Sequence, residues 1–214
     1  MNQHSSLKRP RAGRPTREQA EARHELLLDR ALDHFLDKGF QQATIEAIAA
    51  DVGMTKRTVY ARHEDKAALF RAAVHRAIEK YAVSQEDIEA TVCDDLEQTL
   101  VNLAMLRIDT VSTSTGVKLQ RIVNTESYRF PDIFTAAYES AVPTIRFLAD
   151  VLEKETRAGT LAIDEPMHAA NVFMSMVVGG PARFIVSGIP LSRKEIDKRV
   201  GYAVRLFLDG ARKR

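Results

Sequence analysis

Apolar residues recurring every three or four positions, in runs opened by hydroxyl or amide caps, leave this chain little choice but helices. From Arg17 to Lys38, Leu27, Leu28, Ala31, Leu32, Phe35 and Leu36 form one stripe of a 3.6-residue period. Thr16 stands at the N-cap with Gln19 three residues on and Pro15 just before, and Gly39 offers the left-handed residue that ends a helix. Thr44 caps a segment Ile45 to Asp51, Gly53 permits a sharp turn, and Thr55 caps a second segment to about Arg62. The same periodicity predicts helices over 64–84, 86–112, 117–129, 131–157 and 165–187. A last one over 192–212 opens with Ser192 and Glu195 as a capping box. Strand signals are scarce and no Asn-Gly or Asp-Gly turn occurs. The expectation is an all-α chain of about nine helices.

Charge divides the chain. Residues 1–80 hold fifteen Lys/Arg against eleven Asp/Glu, and residues 81–214 hold sixteen against eighteen. Lys8, Arg9, Arg11, Arg14 and Arg17 precede the first acid, Glu18. Surplus positive charge in the first third points to an anionic partner there. A single cysteine, Cys93, excludes a disulfide within the chain and a cysteine-rich zinc site. The N-terminus has no apolar signal-peptide core, so a cytoplasmic protein is expected.

The stretch TIEAIAADVGMTKRTVYARHEDKAALF carries the most specific signal. Ala49, Gly53 four residues later and Val59 six after that have helix-turn-helix spacing: a small residue where two helices touch, a glycine at the turn and an apolar anchor in the second helix. Thr55, Lys56, Arg57, Thr58, Tyr60 and Arg62 are left to face outward. In a DNA reader they enter the major groove, where Arg or Lys pairs with guanine and Thr methyls meet thymine.

On these residues the chain resembles the TetR-type transcriptional regulators. The segment from Phe40 through ATIEAIAADVGMTKRTVY to KAALF is similar to the family's DNA-binding head. IVNTESYRFPDIF and VVGGPARF resemble the C-terminal half of the AefR/AcrR-like subgroup. The resemblance implies three parts: a basic arm over 1–16, a helix-turn-helix domain over 17–63, and a helical ligand-binding and dimerisation domain over 64–214. It implies that Thr44 and Lys66 hold phosphates at helix N-termini, and that Thr55, Lys56, Arg57, Thr58, Tyr60 and Arg62 contact DNA. Where the family ends its recognition helix with Tyr-Tyr-His-Phe, this chain has Tyr60, Ala61, Arg62 and His63, so His63 stands where the family buries Phe. The segment AGRPT resembles an AT-hook core, which makes Arg11 and Arg14 candidates for the minor groove.

A palindromic operator needs two heads about 34 Å apart, or a multiple of one turn, hence a homodimer. The segment Met167–Ile189 is apolar on nearly every side, which assigns dimerisation to the last two helices. Its Arg183, His168, Asn171 and the Gly179-Gly180-Pro181 interruption argue against a membrane span. The resemblance further implies a ligand cavity among the middle helices. Leu103, Leu106, Phe134, Tyr138, Phe147, Phe173, Met174 and Val177 are its candidate lining, with Asn102, Arg107 and Arg121 as polar anchors. Such a lining suits a small hydrophobic or aromatic effector. Pro143 inside the helix over 131–157 is expected to kink it. No cofactor or metal is expected, and no Gly-rich phosphate loop, His-Glu-x-x-His or Gly-x-Ser-x-Gly occurs. A repressor released by its effector is the reading preferred over a ligand-independent dimeric DNA-binding protein, and over a helical enzyme whose site is dispersed in sequence.

Overall fold

Each capping signal opens a helix in the computed structural model of the chain, which describes residues 16–212. Ten helices lie among them: α1 Arg17–Gln42, α2 Ile45–Asp51, α3 Lys56–Tyr60, α4 Lys66–Lys80, α5 Gln85–Glu89, α6 Leu96–Ser112, α7 Ser114–Glu126, α8 Pro131–Arg157, α9 Pro166–Val186 and α10 Arg193–Ala211. No strand occurs among the described residues; one isolated bridge joins Leu161 to Arg212. At the start of α1 the capping box is complete. Gln19 N–H donates to Thr16 Oγ1 at 3.2 Å and Thr16 N–H to Gln19 Oε1 at 3.0 Å. At α10 it is half complete, because Ser192 Oγ accepts from Glu195 N–H at 3.2 Å while the Glu195 carboxylate pairs with Arg199 Nε at 2.8 Å.

The single helix expected over 86–112 is two. Between α5 and α6 the freed backbone groups find side chains: Asp95 Oδ1 accepts from Glu97 N–H at 3.0 Å, Thr99 Oγ1 from Cys93 N–H at 3.1 Å, and Asn102 Nδ2 donates to Thr91 O at 3.1 Å. Such local partners stabilise a turn where periodicity alone reads an unbroken helix. The Gly-Gly-Pro interruption expected in the helix over 165–187 does not break it, and Pro143 lies inside its helix as expected. α9 runs without a break through Gly179, Gly180 and Pro181, and α8 is a continuous element through Pro143.

The chain divides into two compact units, residues up to Ala73 and residues from Val74, with the division inside α4. In the first, α1 buries Leu27, Leu28, Ala31, Leu32 and Phe35, and α2 adds Ile45, Ile48 and Ala49. Phe70 of α4 meets Phe35 edge to face at 4.9 Å and Phe40 at 5.1 Å, an arrangement the ring quadrupoles favour. In the second unit α6, α8, α9 and α10 share a core built on Leu100, Leu103, Ile108, Leu148, Phe173 and Val204. α9 is long and apolar enough to cross a membrane by length and composition, and here it packs Ala170, Phe173, Val177 and Pro181 inward. Its other side is uncovered in the single chain. Val172 of α9 and Tyr202 and Leu206 of α10 are 61%, 65% and 55% exposed, beside a shallow apolar groove of about 390 Å³.

Gly39 sits inside α1 with φ 75° and ψ 164°, a region essentially closed to residues with a Cβ, and redirects the chain so that Phe40 reaches the aromatic cluster. Replacing Gly39 with Ala is expected to lower unfolding free energy by about 1–3 kcal/mol, read as a reduced urea midpoint at unchanged m-value.

Candidate nucleic-acid interface and ligand cavity

The helix-turn-helix is built from three local devices. Thr44 Oγ1 accepts from Ala47 N–H at 3.2 Å and fixes the start of α2. Gly53, at φ 61°, turns the chain while Met54 N–H returns to Ala49 O at 2.8 Å, and Arg23 of α1 reaches Gly53 O at 3.4 Å. Thr55 then caps α3 by accepting from Thr58 N–H at 3.2 Å, and the two Thr hydroxyls lie 2.9 Å apart. Ala49 and Val59 are buried where α2 and α3 meet. With Val59 turned inward, Thr55, Lys56, Arg57, Thr58, Tyr60 and Arg62 are all exposed.

Two of the basic residues on this face already have carboxylate partners. Lys56 Nζ is ion-paired to Glu46 of α2, a contact that raises the lysine pKa and lowers that of the glutamate through their shared hydrogen bond. Lys56 also lies 5.6 Å over the Tyr60 ring. Arg62 Nη1 is 3.9 Å from Glu21 Oε2 of α1. The Lys66 ammonium donates to Gln41 O and Ala43 O at 3.1 Å each and lies 4.7 Å over Phe40. The α4 N-terminus is capped by Asp65, whose Oδ1 accepts from Ala68 N–H at 2.7 Å. In the DNA-free chain Lys66 thus serves the end of α1, and Asp65 the first turn of α4. Arg11 and Arg14 lie outside the described residues.

The second unit holds two adjoining spaces. An outer cleft of about 630 Å³ lies between α4 and α8 and is lined by His75, Ile78, Glu79, Asp132, Glu139 and Pro143 among others. An inner recess of about 90 Å³ is lined by Tyr81, Arg107, Thr110, Leu119, Gln120 and Ala137 among others. Ile78, Ala82 and Ser140 line both. Across the cleft His75 Nε2 stands 3.2 Å from Asp132 Oδ2.

Of the eleven ligand candidates, Arg107 alone lines either space, and it lines the inner recess. Leu103, Phe173 and Val177 are core residues, and Leu106, Phe147 and Met174 pack against that core. Phe134 and Tyr138 are exposed, Asn102 holds the turn before α6, and Arg121 Nε donates to Val186 O at 2.7 Å. The lining that sequence reasoning missed carries a faint signal. His75 and Glu79 on α4, and Thr135 and Glu139 on α8, are polar pairs at i,i+4, and each pair faces the cleft.

Residues 27–73 match the family described as bacterial regulatory proteins, tetR family, and residues 98–210 match the AefR-like transcriptional repressor, C-terminal domain. No curated protein matches the chain significantly. Among solved structures, the flavonoid-responsive regulator FrrA is 31% identical with a TM-score of 0.69, over 91% of this chain and 99% of that one. A TetR-family regulator from Mesorhizobium loti is 24% identical with a TM-score of 0.75, over 93% and 100%. A transcriptional regulator from Saccharomonospora viridis, solved with choline, is 18% identical with a TM-score of 0.65, over 92% and 100%. The last two likenesses show the fold.

His63, just after α3, is 7% exposed; its ring stacks on His24 at 5.2 Å and its Nε2 has no hydrogen-bond partner. Burial first, then the neighbouring His24 and Arg62, push its pKa below the ordinary 6.5. In the unfolded chain His63 takes a proton as pH falls through 6.5, while in the folded chain it stays neutral to lower pH. Its contribution therefore weakens stability from about pH 6.5 downward and levels off below the folded pKa. His63→Phe is expected to add about 1 kcal/mol at pH 7, and to flatten the fall in thermal midpoint between pH 7 and 5.

Proposed function

Because the chain belongs to the TetR family of transcriptional regulators, with an AefR-like C-terminal domain, we propose that it is a homodimeric, operator-binding repressor released from DNA by a small hydrophobic or aromatic effector. The observation that carries this reading is the face of α3, where one apolar residue, Val59, is buried and six polar or basic ones are left for the major groove. Arg57 is the foremost base reader, since it is exposed and enters no ion pair. Lys56 and Arg62 reach phosphate or base by exchanging Glu46 and Glu21 for DNA. Thr44, Thr55, Thr58 and Tyr60 supply the neutral contacts, and Arg11 and Arg14 of the basic arm add charge beside them.

The dimer forms through α9 and α10, whose uncovered Val172, Tyr202 and Leu206 give an apolar face for a second copy. The cytoplasm is the site of action, and α9 is read as a subunit contact rather than a span. The cleft volume of about 630 Å³ falls within the range of small-molecule sites and favours a sensor over a ligand-independent DNA-binding protein. FrrA is flavonoid-responsive by name, which supports an aromatic effector here. α4 supplies the coupling. It begins beside the end of α1 with Lys66 and lines the cleft with His75, Ile78 and Glu79, so a ligand that prefers a shifted α4 also acts on the head. Linkage then requires ligand and operator to weaken each other equally.

Genome-wide mapping of bound sites is expected to return a palindrome upstream of regulated genes. On that operator Arg57→Ala is expected to lose about tenfold or more in affinity; full affinity in this variant would refute the role of α3. Joint replacement Val172→Glu and Leu206→Glu is expected to give a folded monomer in sedimentation, with operator affinity reduced to that of a single head. A dimer that survives both changes would remove α9 and α10 from the interface.

A further inference from the structure

Most polar side chains of the inner recess already donate a hydrogen bond to the protein. Thr110 Oγ1 donates to Leu106 O at 2.8 Å, Tyr81 OH to Thr115 Oγ1 at 3.2 Å, Gln120 Nε2 to Asn124 Oδ1 at 3.3 Å, and Ser140 Oγ to Ala137 O at 2.8 Å. Arg107 is different. Among the described residues its guanidinium has neither a hydrogen bond nor an ion pair, and withdrawal from water is the sole influence on its charge. Five N–H donors and a full positive charge therefore sit in a recess where Ile78, Val111, Leu119, Val123 and Ala137 supply apolar wall beside the hydrogen-bonded Tyr81, Thr110, Gln120 and Ser140. A charge withdrawn from water without a partner is costly, and a planar guanidinium is shaped to hold a carboxylate by two parallel bonds.

We propose that Arg107 is the specificity determinant of the effector site, and that the effector is an organic monoanion with an apolar, aromatic body. Its acidic group pairs with the Arg107 guanidinium in the inner recess, and its body extends past Ile78, Ala82 and Ser140 into the outer cleft. Two features set the charge. The inner recess supplies one cation, and the cleft beyond it is bordered by Glu79 and Glu139, both exposed, and by Asp132, which is engaged with His75. A second negative group on the ligand meets those carboxylates, so a monoanion is accepted and a dianion disfavoured. An inorganic anion satisfies Arg107 but leaves the apolar walls and the larger cleft unused. This proposal rests on the reading of the second unit as a ligand sensor, and it fixes the chemical class that the sensor takes.

The test uses full-length protein without DNA and three naphthalene probes of common shape: 2-naphthoate, the neutral 2-naphthamide, and naphthalene-2,6-dicarboxylate. By titration calorimetry at neutral pH, the naphthoate is expected to bind at least about tenfold tighter than the amide, and the dicarboxylate more weakly than the naphthoate. Arg107→Met keeps the length and removes the charge; it is expected to bind acid and amide alike, with a ligand-free thermal midpoint equal to or above that of the original chain. Equal binding of acid and amide by the unaltered protein would overturn the proposal without recourse to any variant. So would an Arg107→Met protein that keeps the preference for the acid, or a dicarboxylate that binds as tightly as the monoacid. Naphthoate binding that leaves operator affinity unchanged would count against the sensor mechanism and leave the assignment of Arg107 standing.

Discussion

One helix belongs to both halves of this protein, and most of what the molecule can do depends on that continuity. The first turns of α4 contribute Leu69, Phe70 and Ala73 to the head, where Phe70 closes an aromatic cluster with Phe35 and Phe40. The following residues, Val74, Ala77 and Ile78, are buried as well and belong to the second unit. α4 runs as one helix from Lys66 to Lys80 across that division. The Lys66 ammonium, bonded to two carbonyls at the end of α1, ties the beginning of the same helix into the head.

The recognition face shows how a basic surface is kept in order before DNA arrives. Glu46 and Glu21 partner Lys56 and Arg62 across exposed contacts that solvent screens, so these pairs add little to stability. For the same reason they are easily exchanged for phosphate or base. Pre-pairing lowers the free positive charge of α3, which weakens the sequence-independent part of DNA binding and leaves a larger share of affinity to base contacts. Arg57, exposed and without an ion pair among the described residues, is the residue proposed to carry that share.

Features with local causes were legible in the sequence. Thr16, Thr44, Thr55 and Ser192 cap the helices they were expected to cap, because the hydroxyl and the N–H it receives are three residues apart. Ala49, Gly53 and Val59 were legible because the helix-turn-helix is compact enough to write its contacts into spacing. The break between α5 and α6 was hidden, since it depends on Asn102 reaching back eleven residues to Thr91 O. The cleft was hidden more deeply. His75 on α4 and Asp132 on α8 are far apart in sequence, and the aromatic residues that composition suggested as lining, such as Phe173, are core, while Phe134 faces solvent.

Arg107 and Lys66 are both cations set among apolar residues, and their difference separates structure from function. Lys66 meets two carbonyls and an aromatic face, so its charge is compensated by the fold itself. Arg107 meets none among the described residues, and the fold carries the cost of withdrawing it from water. A structural arginine gains from a partner in every state of the protein. A sensing arginine does better without one, because an internal partner would compete with the ligand for the same donors. With an effector paired to Arg107 as proposed, its affinity would depend on how the guanidinium, Ile78 and Ala82 are disposed, and differential affinity is what shifts a conformational equilibrium. On the proposed reading, this energetic defect in the second unit is the feature through which an effector would act on α4.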